Sequence, residues 1–485
     1  MTDNFNFSNV IDLKLQCGGK EYDVFSVSIT RAIGSYPVCV VVLSEGAPVN
    51  GEPSLPNVDD EAYLYLKTAG TKEGEESLYP LFIGFVASET SQTAIGSTAV
   101  QGYRSYRLAC NTERLSSIAP MTSTWISNSM GEDSNFFIGG LLLLGEARKQ
   151  IDNTLNELQS IANNDVGNAL LKALTQFQQT LKANEDLVNS CVKSDKIAFN
   201  VKGNTNFASK LTTLINTALS GGLTYYDVIR RVSSVMGLQL IPHIDMVNDA
   251  GDHMCICNRP AWIKEITTEP LKPSDYLAVR SSSISIAHKA IDGIVVPLSN
   301  QIMNTKNPHS FAIYGERGGK QGEASIITRE SLTTEGDGKS DPLHLHVELM
   351  QLPSWLWEAT ALPKAEQTAE TSESIDDVAK KLAMTGFATR AHQQSELTLS
   401  IPFEVYQRLI NTLGLIYTIS LLKGSSNEFS KNSLHTVYGR LQSLSLTINI
   451  LQSKLSVSAQ ASFTHVVPEN IYKKYAISKK SLLFV

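Results

Sequence analysis

Leu444-Ser445-Leu446-Thr447-Ile448-Asn449-Ile450 and Leu455-Ser456-Val457-Ser458-Ala459-Gln460-Ala461-Ser462-Phe463 are two runs in which every second residue is apolar. Strand side chains point alternately to the two faces of a sheet, so each run reads as a β-strand with one apolar and one polar face. Gln452-Ser453-Lys454 lies between them, and a long hairpin follows because the two apolar faces must coincide. Leu397, Leu399 and Ile401 repeat the pattern upstream. The opposite face of the hairpin carries Ser445, Thr447, Asn449, Ser456, Ser458, Gln460 and Ser462, with no charge among them. A tube lumen or a surface that pairs with another subunit would suit such a face, and an ordinary solvent face is its plainest reading.

Working outward, the N-terminal stretch is strand-like as well. Ile11, Leu13 and Leu15, then Tyr22 to Ile29, then Val38 to Leu43 alternate or run apolar between Gly, Pro and Ser residues. Gly18-Gly19 joins the first two segments at hairpin distance, where both central residues need positive φ. Further strands are expected at 62–67, 81–88 and 103–111, with 70–77 as an exposed hairpin tip. Short strands at this spacing belong to a small barrel or sandwich.

After Pro120 the period changes. Ile151, Leu155, Leu158 and Ala162, then Leu170, Leu174, Phe177 and Leu181, fall at helical spacing. Two amphipathic helices broken near Asn163-Asn164-Asp165 are expected, with Asp165 able to cap the second. Packing on the β block is the preferred role, an exposed partner-binding hairpin the other. Residues 207–238 read as two more helices separated by Gly221-Gly222. Strands resume over 238–244, 254–258, 281–297 and 310–314. Residues 363–374 form a linker into a short helix over 375–382.

Composition excludes several classes. The chain has 485 residues, 41 Lys+Arg against 48 Asp+Glu, a net charge of −7, 42% hydrophobic residues and 18% charged ones. At roughly 150 residues per domain this length implies about three domains. The acidic balance argues against a phosphate-neutralising protein, so no sequence-specific nucleic-acid binding is expected. A charged fraction below the roughly 25% of ordinary soluble domains means that Ser, Thr, Asn and Gln supply the polar surface. Met1-Thr2-Asp3-Asn4-Phe5-Asn6 does not read as a secretory signal. The apolar runs 38–43 and 141–144 fall far short of the ~20 residues a bilayer requires, so no membrane association is expected. Cys17, Cys39, Cys110 and Cys191 are scattered, as buried thiols in a reducing compartment would be.

Three constellations invite a chemical reading. His253-Met254-Cys255-Ile256-Cys257 places three zinc-ligand types on one face of a strand, but no second Cys pair completes a tetrahedral site. His344, His346 and Glu348 also share a strand face and could form a facial metal site for a hydrolase. Gly315-Glu316-Arg317-Gly318-Gly319-Lys320-Gln321-Gly322 approaches a phosphate loop. It has one residue too few before Gly319-Lys320, and Gln321 stands where Ser or Thr would reach magnesium, so a glycine-rich loop is the better reading. No Gly-x-Ser-x-Gly, no His-Glu-x-x-His and no isolated carboxylate pair is present. No catalytic, cofactor-binding or metal residue is therefore assigned, and the chain is read as a non-enzyme without cofactors.

The order of the N-terminal strands, Val38-Cys39-Val40-Val41-Val42-Leu43, then Leu81-Phe82-Ile83-Gly84-Phe85-Val86, then Tyr106-Arg107-Leu108-Ala109-Cys110 running toward a short helix over 112–117, resembles the opening of phage tail baseplate hub proteins. It is similar also to the hub-like N-terminal part of type VI secretion spike proteins. Tyr225-Tyr226-Asp227-Val228-Ile229-Arg230-Arg231-Val232 ahead of Gly237-Leu238-Gln239-Leu240 resembles the family's second region. The resemblance covers 1–110 and, more loosely, 220–300.

It implies a β-dominated α+β chain: two tube-like antiparallel β-barrel domains, a helical insertion and a C-terminal β-hairpin region. The boundaries expected are a first barrel over 1–120, a helical insertion over 121–200, and a mixed region contributing a barrel over 201–355. A linker and short helix over 356–395 and a C-terminal β region over 396–485, able to complete one of the barrels, follow. It further implies a homotrimeric structural hub, a pseudo-sixfold ring between the hexameric tail tube and the central spike or tail tip. The tape measure protein and baseplate wedge are further partners. The place implied is the tail baseplate of the virion, assembled in the host cytoplasm. A tube initiator or a wedge subunit is the alternative.

Overall fold

The computed structural model describes residues 10–44, 55–69, 76–95, 100–118, 152–157, 165–194, 224–235, 237–245, 251–264, 269–283, 293–297, 311–315, 325–327, 347–349, 380–389, 395–422, 434–451 and 454–483. Strands dominate. β1 (Val10–Cys17), β2 (Lys20–Ala32), β3 (Val38–Ser44), β4 (Glu61–Ala69), β5 (Glu76–Ile95) and β6 (Val100–Ala109) come first. The Gly18-Gly19 turn between β1 and β2 has φ of +56° and +78°, the two positive values that a tight hairpin needs. β1 pairs with both β4 and β2, and the order β1-β4-β5-β6-β3-β2 returns on itself, so these strands close an antiparallel barrel. Closure leaves those strands no free edge, the usual solution for short antiparallel strands. Leu13, Leu15, Ile29, Val41, Leu64, Phe82 and Leu108 fill it.

A 3₁₀ turn over Asn111–Ser116 leaves the barrel. The helix Asp165–Cys191 begins at the residue expected to open it. Of its described side chains only Val188 and Cys191, in the last turns, are buried, most from Asn168 to Thr180 are exposed, and Gln178 donates to Asp152 Oδ1 in the helical stretch 152–157. At its C-terminal end Thr112 donates its hydroxyl to the Cys191 carbonyl, while the side chains of Phe177 and Leu181 from the expected apolar stripe lie outside the described ones. β7 (Val192–Ser194), the helix Tyr225–Val235, β8 (Gln239–Asp245) and β9 (Gly251–Cys257) follow. Thr224 caps the helix reciprocally: its Oγ1 accepts the Asp227 N–H at 3.2 Å, and Asp227 Oδ2 accepts the Thr224 hydroxyl at 2.8 Å. β7, β8 and β9 form a three-stranded sheet.

β10 (Ala278–Ser283) joins the large sheet, whereas β11 (Gly293–Pro297), β12 (Phe311–Gly315), β13 (Ser325–Ile327) and β14 (Val347–Leu349) form a separate four-stranded one. A short helix occupies 380–389, meeting the expected 375–382 at 380–382, while 375–379 lie outside the described residues. β15 (Glu396–Ile401), the helix Phe403–Leu409, β16 (Ile416–Leu422), β17 (Leu434–Leu451), β18 (Lys454–Pro468) and the helix Glu469–Tyr475 complete the chain. β17 and β18 are the hairpin expected from the alternating runs, with Leu446 opposite Ala459 and Ile448 opposite Val457.

Two long strands each serve two neighbours along one edge. β2 pairs with β1 over Lys20–Asp23 and then with β17 over Ser26–Ala32. β17 pairs with β16 over Leu434–Arg440 and then with β2 over Ser443–Asn449. The barrel thereby continues into β17-β18-β15-β10 as one sheet of eleven strands with β16. This second run nearly closes too. Leu271 exchanges backbone hydrogen bonds with Thr418 and Ser420 around β16, and Leu277 N–H donates to Ser400 O on β15 at 2.7 Å, so residues 271–283 touch both ends of the run. Phe403, Val405, Tyr406 and Leu409 of the intervening helix are buried against it.

Gly84 marks the tightest crossing in the first barrel, where a Cβ would lie 2.0 Å from the Ala109 carbonyl oxygen. Gly84→Ala is expected to cost about 2–3 kcal/mol by forcing β5 off β6, against about 1 kcal/mol for Gly19→Ala, whose Cβ meets nothing but whose φ is positive. Urea midpoints of the two variants give the comparison.

Candidate functional site

Antiparallel partners share a face, so the registers fix what each face of the large sheet presents. On the inner face Ile29 lies beside Cys39 and Leu446, and Leu446 beside Ala459, all buried. On the outer face one row runs Thr90, Ser105, Val42, Ser26, Asn449, Ser456 from β5 to β18. The next runs Arg107, Val40, Ser28, Thr447, Ser458, and a third runs Val38, Thr30, Ser445, Gln460, Ser400. From β2 to β18 these rows contain hydroxyls and amides and no charge. Ser28, Thr30, Ser456 and Ser458 are exposed. Ser26 Oγ donates to Asn449 Oδ1 at 2.6 Å across the junction between barrels, and Thr398 and Ser462 hydroxyls lie 3.2 Å apart. The polar face seen in the C-terminal runs thus crosses the junction and ends at β2, beyond which β3 presents Val38, Val40 and Val42 and β6 presents Arg107.

Beneath that junction lies a buried ion pair that sequence reasoning missed. Arg31, at the end of β2, and Asp252, at the start of β9, are both 0% exposed. Arg31 Nε and Nη2 donate to Asp252 Oδ1 at 2.9 and 2.6 Å, Nη2 also to Leu81 O at 2.9 Å, and Nη1 to the Tyr406 hydroxyl at 2.7 Å. Asp252 Oδ2 accepts the Ile83 N–H at 3.0 Å. Four elements are joined: β2 and β5 of the first barrel, β9 of the small sheet, and the helix Phe403–Leu409 under the second run. Burial opposes the charge on Arg31, but Asp252 outweighs it and holds the guanidinium above its ordinary value. Burial pushes the Asp252 carboxyl up, against the pull of Arg31 and the Ile83 N–H.

The candidate metal ligands are placed differently. His253, Cys255 and Cys257 lie in β9 and are buried. His253 Nδ1 lies 2.9 Å from Gly251 O, Cys255 Sγ 3.9 Å from Ile256 O and Cys257 Sγ 3.7 Å from Cys255 O. Among the described residues no group of three or more His, Cys, Asp and Glu could hold a metal. His344 and His346 lie outside the described residues, as do 316–322 of the glycine-rich segment, while Glu348 lies in β14. All six cysteines are free and buried, and burial lifts the Cys17 thiol to about 11, far from a reactive thiolate. No described helix is long and apolar enough to cross a membrane.

No family model and no curated protein matches the chain. Solved structures to which it is similar include the following three. A 43 kDa tail protein of a Shewanella oneidensis prophage shares 9% identity over 94% of this chain and 98% of that one, with a TM-score of 0.41. A tail protein from Neisseria meningitidis shares 7% over 96% and 98%, with a TM-score of 0.39. An E. coli type VI secretion component, described as structurally similar to T4 bacteriophage tail proteins, shares 7% over 96% and 79%, with a TM-score of 0.33. Likeness at that level fixes no role.

Removing one partner of a buried pair strands the other, so Asp252→Ala is expected to lose about 3–5 kcal/mol of stability, with most of it regained in the double variant Arg31→Met, Asp252→Leu. A double-mutant cycle in urea measures the coupling. Burial, with His243 nearby, keeps the His253 imidazole below its ordinary value. Its contribution to stability is complete above about pH 6.5, where the unfolded imidazole is also neutral, and is lost as pH falls through the lower folded value. Unfolding free energy between pH 7.5 and 5.5 is expected to fall less steeply in His253→Gln than in the native chain.

Proposed function

We propose that the chain is a non-enzymatic structural subunit of a phage tail or a related injection machine, and within it the trimeric hub that joins a sixfold tube to a threefold spike or tip. The observation that carries this reading is the continuation of β2 into β17. It fuses two barrel-like units edge to edge in one chain, with one polar, uncharged face running across their junction from β18 to β2. Three such chains around an axis present six barrel units, matching a hexameric tube above and a trimer below.

The boundaries proposed are the first barrel within 1–120 and the C-terminal region 396–485, with β10 from the mixed region 201–355, completing the second. The Ser, Thr and Asn rows are proposed to face the axis. Hydroxyls and amides keep a passage wet, and the absence of Lys and Arg leaves phosphates nothing to bind, so nucleic acid or a tape measure protein moves through without being held. The tube and spike or tip subunits are the partners proposed above and below, with wedge subunits outside. The compartment proposed is the virion tail, assembled in the host cytoplasm.

Light scattering on the purified chain, alone and with tube and spike subunits, tests this. A three-chain mass is expected. A six-chain ring would move the chain to a tube initiator, and a chain that stays monomeric with both partners present contradicts the hub.

A further inference from the structure

Where the end of β2, the helix Tyr225–Val235, the start of β8 and the helix 380–389 meet, the fold leaves a half-open cavity of about 310 Å³. That is the lower end of the roughly 300–1,000 Å³ of small-ligand pockets. Ile33, Leu238 and Leu240 give it an apolar wall. Two of its polar residues are already engaged. Gln239 Nε2 donates to Gly237 O at 2.8 Å and its Oε1 accepts the Arg259 N–H at 2.9 Å, while the Thr389 hydroxyl donates to Thr385 O at 2.9 Å.

Arg230 and Ser233 remain. They stand three residues apart, hence on one face of the helix. Arg230 is exposed, and among the described residues it is the one charged residue of the lining and has no carboxylate partner. Ser233 is 2% exposed, and its Oγ has no hydrogen-bond partner. Hydroxyls within helices can donate to the carbonyl four residues back, as Thr175, Thr180 and Thr389 do here. Ser233 does not, which leaves a buried donor without a partner in the wall of the cavity.

We propose that this cavity binds a carboxylate carried on a short apolar stem. Arg230 takes the charge, Ser233 donates to one carboxylate oxygen, and the stem lies against Ile33, Leu238 and Leu240. A monoanion fits a lining whose described residues include a single cation, and a guanidinium fork matches two carboxylate oxygens. The carboxylate is either a free small acid or a Glu side chain on a partner's segment. The site stands on its own residues and does not depend on the hub reading.

Ligand-observed NMR titration of the full chain with butyrate and, separately, with acetyl-Ala-Glu-Ala-amide tests it. Saturable binding is expected, weakened about tenfold by Arg230→Gln and about threefold by Ser233→Ala, with melting temperatures unchanged. Tighter binding of butyrate assigns the site to a free acid, and tighter binding of the peptide to a partner's side chain. Absence of saturable binding by either probe up to about 10 mM, a level that still detects millimolar affinity, overturns the proposal. So does equal affinity in Arg230→Gln.

Discussion

An arginine and an aspartate with no exposed surface meet where the first barrel, the small sheet and the helix beneath the second run converge. Burying two charges is expensive, and a pair of this kind adds little net stability compared with apolar residues of the same shape. What it imposes is geometry. Arg31 can satisfy its donors only if the Leu81 carbonyl, the Tyr406 hydroxyl and Asp252 all stand within reach at once, and Asp252 needs the Ile83 N–H as well. A slip of either barrel against the other would strand a buried charge. The pair therefore holds β2 in the one register that lets its C-terminal half continue into β17.

From that register the surface follows. A one-residue slip between β2 and β17 would turn Ser26, Ser28 and Thr30 inward and Val27 and Ile29 outward. With the register held, hydroxyl and amide rows pass unbroken from one barrel to the next. The low charged fraction of the chain is thus concentrated into a particular place, the central strands of the large sheet, where Ser, Thr, Asn and Gln supply the polarity. Such a face is hydrated yet grips neither sign of charge, which is what a passage wall in an injection machine would require.

Much of this was legible in the chain. The alternation at 444–463 set the hairpin and its polar side, because burying one face of a strand writes a period of two into the sequence. Gly18-Gly19 marked its turn for an equally local reason. What joins the barrels was not legible: Ser26 and Asn449 touch across 423 positions, and nothing in either strand names its partner. Arg31 reads as an ordinary cation at a strand end, and Asp252 was overshadowed by His253 and the cysteines that follow it. The apolar spacing of the helix Asp165–Cys191 records a stripe and not what covers it, and among its described side chains only Val188 and Cys191 are buried.

Electron cryomicroscopy of the chain assembled with the tube subunit proposed as its partner would place the polar rows directly. Three copies in a closed ring, with Ser28, Thr447 and Ser458 facing the axis, is the predicted arrangement. A ring in which that face is packed against another chain, or turned outward to solvent, would contradict it.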